Sequence, residues 1–276
     1  VVEVYHDTLM TQTLSIGPLT LPYPLLLVLI AVFLGSFAGK RTGRGAGVDV
    51  EPLLFRILLA GAVAARLAFV VQFHDAYLKA PWDILDIRDG GWTPLAGFVA
   101  AGAYALAVGL RRGVLRRPLA AAIGTTAAIW FLGSVALGAL DNAGRLPALR
   151  MPALGGEPVT LTDFRGKPTV INLWATWCPP CRREMPVLQQ AQTERPDVNF
   201  VFLNQGESAE KVRSFLAAQN LPLRNVLLDA RGEAGVQLGH RALPTTLFFD
   251  AQGRLTDTRV GELSRATLAQ RLPARQ

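Results

Sequence analysis

Four stretches in the first half of the sequence carry little or no charge over about twenty residues, the length a helix needs to cross the hydrocarbon core of a bilayer. They run from Leu21 to Gly39, Pro52 to Phe73, Gly91 to Leu110 and Pro118 to Leu140, and only the second holds charged residues, Arg56 and Arg66. A helix satisfies its own backbone groups in lipid, so such runs predict a four-helix transmembrane bundle over residues 1–140, with spans at about 21–39, 52–73, 91–110 and 118–140. The first run has the hydropathy of a signal peptide. No Lys or Arg precedes it and three more runs follow, so a retained helix is expected. Met10 is a candidate start, and no reading rests on residues 1–9.

The loops set an orientation. Lys40, Arg41 and Arg44 fall between runs one and two, and Arg111, Arg112, Arg116 and Arg117 between runs three and four. Between runs two and three stand Asp75, Asp83, Asp86 and Asp89 against Lys79 and Arg88. Positive loops stay inside, so both termini are expected outside the inner membrane of a bacterium, in the periplasm. This uses much of the formal charge of +7. No basic, aromatic-interleaved patch points to nucleic acid.

Arg66, near the middle of run two, has two readings: a contact to an anion, lipid headgroup or quinone, or a residue that pairs inside the bundle or snorkels outward. Arg56 is expected to snorkel. Gly97, Gly102 and Gly109 are expected to serve helix packing.

After Leu140 the composition turns to Pro, Gly and charge, as in a linker that leads into a first strand over 141–158. "LPALRMPAL" (Leu146 to Leu154) reads as an extended strand, and "VTLTDFRGK" (Val159 to Lys167) alternates and ends on a turn. From Pro168 strands and helices alternate: "PTVINLWA", a helix from "PCRREMP", "NFVFLNQ", an amphipathic helix capped by Ser208, "NVLLD", a short helix, a hairpin about Ala-Gln-Gly, and a closing helix in "SRATLAQRL". This is a compact α/β domain over 159–276.

Cys178 and Cys181 are the only two cysteines in 276 residues. They cannot complete a four-cysteine zinc site, and His6, His74 and His240 are scattered without metal-ligand spacing, so no metal is expected. A Cys-X-X-Cys at a strand-to-helix turn places the first sulfur at a helix N-terminus, where unpaired N–H groups and the helix dipole stabilise a thiolate. Cys178 is then the nucleophile and Cys181 the resolving thiol. Pro179 and Pro180 set the turn and remove two backbone donors. An inert structural disulfide and half of an intermolecular zinc site are the alternatives. Trp174 and Trp177 flank the pair; Trp177 is expected to shield the sulfur and meet partners, with core packing as the alternative.

"WATWCPPCRREMP", "RALPTTLFFDAQGRL" and "VTLTDFRGKPTVINLW" resemble the thioredoxin superfamily, and most of all the membrane-anchored periplasmic thiol–disulfide oxidoreductases of the TlpA, ResA and CcmG kind, over roughly residues 150–272. The resemblance implies a central sheet flanked by helices. It also implies a cis-proline at Pro244 facing the redox pair, and a Leu243 backbone that receives an extended substrate segment. Glu184 matches the active-site glutamate of the ResA-like reductases, placed to take the proton of Cys181; a solvated carboxylate beside Arg182 and Arg183 is the other reading. Asn172 stands where thioredoxin has a buried acid. "LSIGPLTLPYPLLLVL" and "AARLAFVVQFHDAYLKAPWDILDIRDGGW" resemble the N-terminal part of prolipoprotein diacylglyceryl transferase over roughly residues 14–100. Leu95 stands where that family has a histidine, so an anchoring or docking role is expected in place of lipid transfer.

Together these readings predict a four-span inner-membrane protein with a periplasmic thioredoxin-like domain. It would act on protein disulfides or thiols through Cys178 and Cys181, with no cofactor beyond that redox-active pair. A disulfide reductase is the first reading, with apocytochrome in cytochrome c maturation a candidate substrate. A disulfide-forming oxidase or isomerase, and a lipid-handling or lipoprotein-docking protein with an accessory redox domain, are the alternatives. The membrane half has no cysteine for a thiol relay, so a separate membrane electron donor of the DsbD or CcdA type is expected.

Overall fold

The computed structural model describes residues 13–16, 19–45, 47–78, 81–140, 144–240 and 242–274. His6, Met10, Lys79 and the first residues of the linker lie outside these. The chain divides into two compact units, one made of Leu21–Ile87 and Gly91–Asp141 and the other containing Asn142–Gln276.

Two short strands, β1 (Thr13–Ile16) and β2 (Leu19–Pro22), pair ahead of the bundle. The first unit holds α1 (Tyr23–Gly45), α2 (Glu51–Gln72), the short α3 (His74–Leu78), α4 (Pro94–Arg111) and α5 (Arg116–Leu140). Four of these are long and apolar enough to cross a membrane. A helix stands over each of the four expected runs, with one correction at their ends. Lys40, Arg41 and Arg44 are not in a loop but in the last turns of α1, and Arg116 and Arg117 open α5. Lys and Arg are good helix formers, and positive charge suits a helix C-terminus, so α1 continues past its apolar run.

Helix α1 packs on α5, and α2 on α4. The contacts use small residues. Gly39 lies against Ala122 and the Pro118 carbonyl, and a Cβ on Gly61 or Gly97 would press on the other's backbone carbonyl at 2.9–3.1 Å. Of the three glycines expected to pack in α4, Gly97 does so. Gly102 faces open space, and Gly109 meets only Arg116 Cγ at 3.9 Å.

The second unit begins with a hairpin of β3 (Arg150–Pro152) and β4 (Pro158–Thr160), so the regular strand expected over 146–154 is shorter. The ends of that segment do lie on the domain, the Leu146 N–H donating to the Gly253 carbonyl and the Leu154 N–H to the Val226 carbonyl. The alternation expected after Val159 stops at Thr160. There the Thr160 side chain and Asp163 form a capping box that starts a 3-10 turn, Leu161–Phe164. Then follow β5 (Thr169–Trp174), α6 (Pro179–Glu194), β6 (Asn199–Gln205), α7 (Ala209–Ala218), β7 (Val226–Asp229), α8 (Glu233–Gln237), β8 (Thr245–Phe249), β9 (Leu255–Val260) and α9 (Arg265–Arg271). The main sheet has the order β7-β6-β5-β8-β9. β5, β6 and β7 run parallel, while β8 and β9 are antiparallel to their neighbours.

β5 is buried throughout because both faces of the sheet are covered. Its even positions Val170 and Trp174 join one core with Phe200, Phe202, Met185, Leu188 and Leu268. Its odd positions Ile171 and Leu173 join the other with Val201, Leu203, Met151, Leu161 and Leu247. The period of two therefore points Asn172 to the α6 side.

Candidate functional site

The site forms where β5 ends and α6 begins. Cys178 is the N-cap of α6, in extended backbone at φ −88° and ψ 108°. Pro179 and Pro180 take the first two helical positions, whose N–H groups would find no intrahelical acceptor, so their lack of a donor costs the helix nothing there. Their absence leaves the Cys181 N–H as the first free amide of the helix, and it donates to Cys178 Sγ at 3.3 Å. Cys178 and Cys181 are joined, with S–S 2.01 Å and Cα–Cα 5.3 Å. Cys178 keeps 3% of its surface exposed and Cys181 none.

Glu184, one turn beyond Cys181, is fully buried. Asn172 Nδ2 donates to its Oε1 at 2.8 Å, and the Leu263 N–H donates to its Oε2 at 2.9 Å. Asn172 Nδ2 also lies 3.0 Å from Thr246 Oγ1. Burial pushes the Glu184 carboxyl up to about 8, against the two hydrogen bonds, which favour its charged form. The solvated, surface reading of Glu184 is overturned: its helix face turns to the sheet, while Arg183 reaches outward to pair with Glu262. Arg182 lies 5.6 Å from the Phe215 ring centre, and that ring packs on Trp174.

Pro244 follows a cis peptide after Leu243. β8 pairs with β5 so that Thr245 faces Leu173, which sets Pro244 level with Trp174, at the same sheet end as the cysteine turn. The Gly261 N–H donates to the Pro244 carbonyl at 2.8 Å. The Leu243 side chain packs partly buried against both cores. Trp174 is wholly buried, whereas Trp177 is 63% exposed beside Cys178, a surface a partner can meet. Arg66 lies in the helical unit. It pairs inside the bundle, its guanidinium donating to the carbonyls of Asp83, Ile84, Asp86 and Gly91 at 2.8–3.2 Å.

Sequence reasoning missed one group. Glu207, after the end of β6, accepts from the Thr176 N–H at 2.7 Å, the Thr176 hydroxyl at 2.6 Å and Asn204 Nδ2 at 2.9 Å, and pairs with Lys211 at 2.7 Å. Burial works to raise this carboxyl, but the four donors outweigh it and hold it below the usual carboxylate value. Glu207 thus ties the turn before Cys178 to the neighbouring strand. The signal available was positional: parallel pairing of Trp174 with Asn204 brings the ends of β5 and β6 side by side.

Comparison with known proteins agrees with this geometry. The Redoxin family model matches residues 142–272, and that of Prolipoprotein diacylglyceryl transferase matches residues 12–140. The Thioredoxin-like protein YneN of Bacillus subtilis (strain 168) is 33% identical over 137 residues, which are 48% of this chain and 79% of YneN. The Thiol:disulfide interchange protein DsbE of Pseudomonas fluorescens biotype C is 33% identical over 130 residues, 47% of this chain and 72% of that protein. The Thiol-disulfide oxidoreductase ResA of Geobacillus thermodenitrificans (strain NG80-2) is 30% identical over 128 residues, 46% of this chain and 73% of that protein. With its Cys-X-X-Cys at the start of α6 and its mixed five-stranded sheet, the chain is a membrane protein that belongs to the thioredoxin-like thiol–disulfide oxidoreductases of the ResA and DsbE type.

Proposed function

We propose that the protein is a disulfide reductase working on the periplasmic side of the inner membrane, with Cys178 as nucleophile, Cys181 as resolving thiol and Glu184 as the proton acceptor for Cys181. The observation that carries this reading is the burial of Glu184 one helical turn from Cys181, with its carboxyl at about 8. A carboxyl so poised exchanges a proton near neutral pH. In the reduced enzyme the Cys178 thiolate, favoured by the Cys181 N–H and the helix N-terminus, attacks a substrate disulfide. The substrate S–S bond breaks, a mixed disulfide forms, and the departing sulfur takes a proton. Cys181 gives its proton to Glu184 and attacks Cys178 Sγ. The substrate leaves with two electrons gained, and the Cys178–Cys181 bond stores the oxidation.

Trp177, Leu243 and Pro244 would line the substrate's approach, with protein disulfides or thiols as the substrate class. Apocytochrome c is the candidate within that class. The basic residues at the ends of α1, α4 and α5 support an orientation with those ends inside. No cysteine lies in the helical unit, so reduction of the pair calls for a separate membrane donor of the DsbD or CcdA type. The redox pair needs no other cofactor.

The test is the equilibrium redox potential of the full chain in detergent against glutathione and dithiothreitol buffers, with Cys178→Ser as blank. A value near roughly −270 mV supports a reductase. One near roughly −120 mV, that of a strong oxidant, overturns it in favour of disulfide formation.

A further inference from the structure

The connection between α2 and α4 does not stand clear of the bundle; it folds back along it. The Thr93 N–H donates to the Ala65 carbonyl at 3.1 Å, and Gly91 lies so close to Phe69 that any Cβ would clash with the ring. Arg66 takes the carbonyls of Asp83, Ile84, Asp86 and Gly91, and its guanidinium also lies 5.6 Å from the Tyr77 ring centre. These contacts fix depth. At about 1.5 Å per residue, Ala65 and Arg66 lie roughly 10 Å before the end of α2 at Gln72, and the whole helix is about as long as the hydrocarbon core is thick. The connection therefore runs level with the last two turns of a membrane-spanning helix. Backbone at that depth must be satisfied by protein, and Arg66 supplies the donors to four carbonyls. A buried arginine in a span is accounted for by this task.

The outward side of the same connection is apolar. Leu78 is 74% exposed, Trp82 83%, Leu85 75% and Ile87 61%. On α2 itself Leu67 and Val71 are exposed as well. Asp83 is exposed among them and needs headgroups or water, which limits how deep the segment can lie. Trp at such a boundary, with its apolar body and its N–H, suits the interface between acyl chains and headgroups.

We infer that Leu78, Trp82, Leu85 and Ile87 form a membrane-interface anchor, a surface that inserts into the headgroup–acyl boundary of the leaflet around the end of α2. The occupant is lipid, because these apolar side chains are exposed while the backbone that carries them is pinned level with the last two turns of a helix long and apolar enough to cross a membrane. Arg66 is the positioning residue that holds it there.

The test uses the full chain with Cys178→Ser and Cys181→Ser, reconstituted in vesicles of phosphatidylcholine and phosphatidylglycerol. Trp82→Cys and Leu85→Cys are each spin-labelled, with Val71→Cys as lipid reference and Glu157→Cys as water reference. Collisions with oxygen exceeding those with a water-soluble nickel chelate several-fold, as at Val71, at a depth of about 5–10 Å, are the expected result. A ratio like that at Glu157 overturns the inference, as does protection from both probes, which would mean a protein occupant or a second copy. An unlabelled check accompanies it. Trp82→Phe should lose part of the tryptophan quenching that brominated phosphatidylcholine causes in the parent chain, and unchanged quenching counts against the anchor.

Discussion

Asn172 on β5 holds Glu184 on α6 through a 2.8 Å hydrogen bond between two buried side chains. The strand position at which thioredoxin keeps an acid is here a neutral amide, and the carboxyl comes instead from the helix that carries both cysteines. The acid thus moves with the resolving thiol's own helix.

Stability of the thioredoxin-like unit should fall as pH rises through the Glu184 titration. Its value is raised from 4.5 to about 8, so the folded state keeps a proton that the unfolded chain has lost. The stabilisation is complete below about pH 4.5 and gone above about pH 8, a change of order 3–5 kcal/mol. Guanidinium unfolding of the full chain in detergent, at about pH 5 and about pH 9, should show this slope in the parent and not in Glu184→Gln. The same variant should slow resolution of a trapped mixed disulfide by about 10²-fold.

Asn172→Leu removes a donor that favours the charged form of Glu184, so the carboxyl should titrate above its present value of about 8. The rising limb of the pH–rate profile, where Glu184 gains its charge and can accept a proton, should shift to higher pH with it. An unshifted profile would show that Glu184 does not report through this contact.

Glu207→Ala strips three buried donors, the Thr176 N–H and hydroxyl and Asn204 Nδ2, of their acceptor. A loss of roughly 2–4 kcal/mol is expected, with the turn before Cys178 loosened. Because the carboxylate is held below its usual value, its contribution is present above about pH 4.5 and fades as pH falls through the folded value. Hydrogen exchange at the Thr176 amide, compared between parent and variant, reads the effect.

Arg66→Leu leaves four backbone carbonyls beside α2 without their donor. The bundle should melt earlier in detergent, while the surviving folded protein reduces disulfides at the parental rate. Equal loss of both would tie Arg66 to the redox chemistry and favour a lipid-coupled role.

Much of this was legible in the sequence. The four long helices were read from apolar runs with little or no charge, β6 matched "NFVFLNQ" end to end, and the Cys-X-X-Cys lay at the strand-to-helix junction expected of it. Helix ends were less legible, because Lys40 to Arg44 favour water and the helix equally well. The roles of Asn172 and Glu207 depend on pairing between distant strands and helices, which no local pattern encodes. Gly102 and Gly97 look alike in sequence and differ only in which side of α4 meets a neighbour.

The near-complete burial of the oxidised pair has a further consequence for who can reduce it. An incoming sulfur must approach Cys178 in line with the S–S bond, and only 3% of that residue is open. Reductants are therefore sorted by the shape of the tip that presents their thiol before their potentials are compared. A dissolved pool of small thiols, however reducing, would equilibrate with the pair slowly, and the electron flow would follow whichever protein is built to dock beside Trp177.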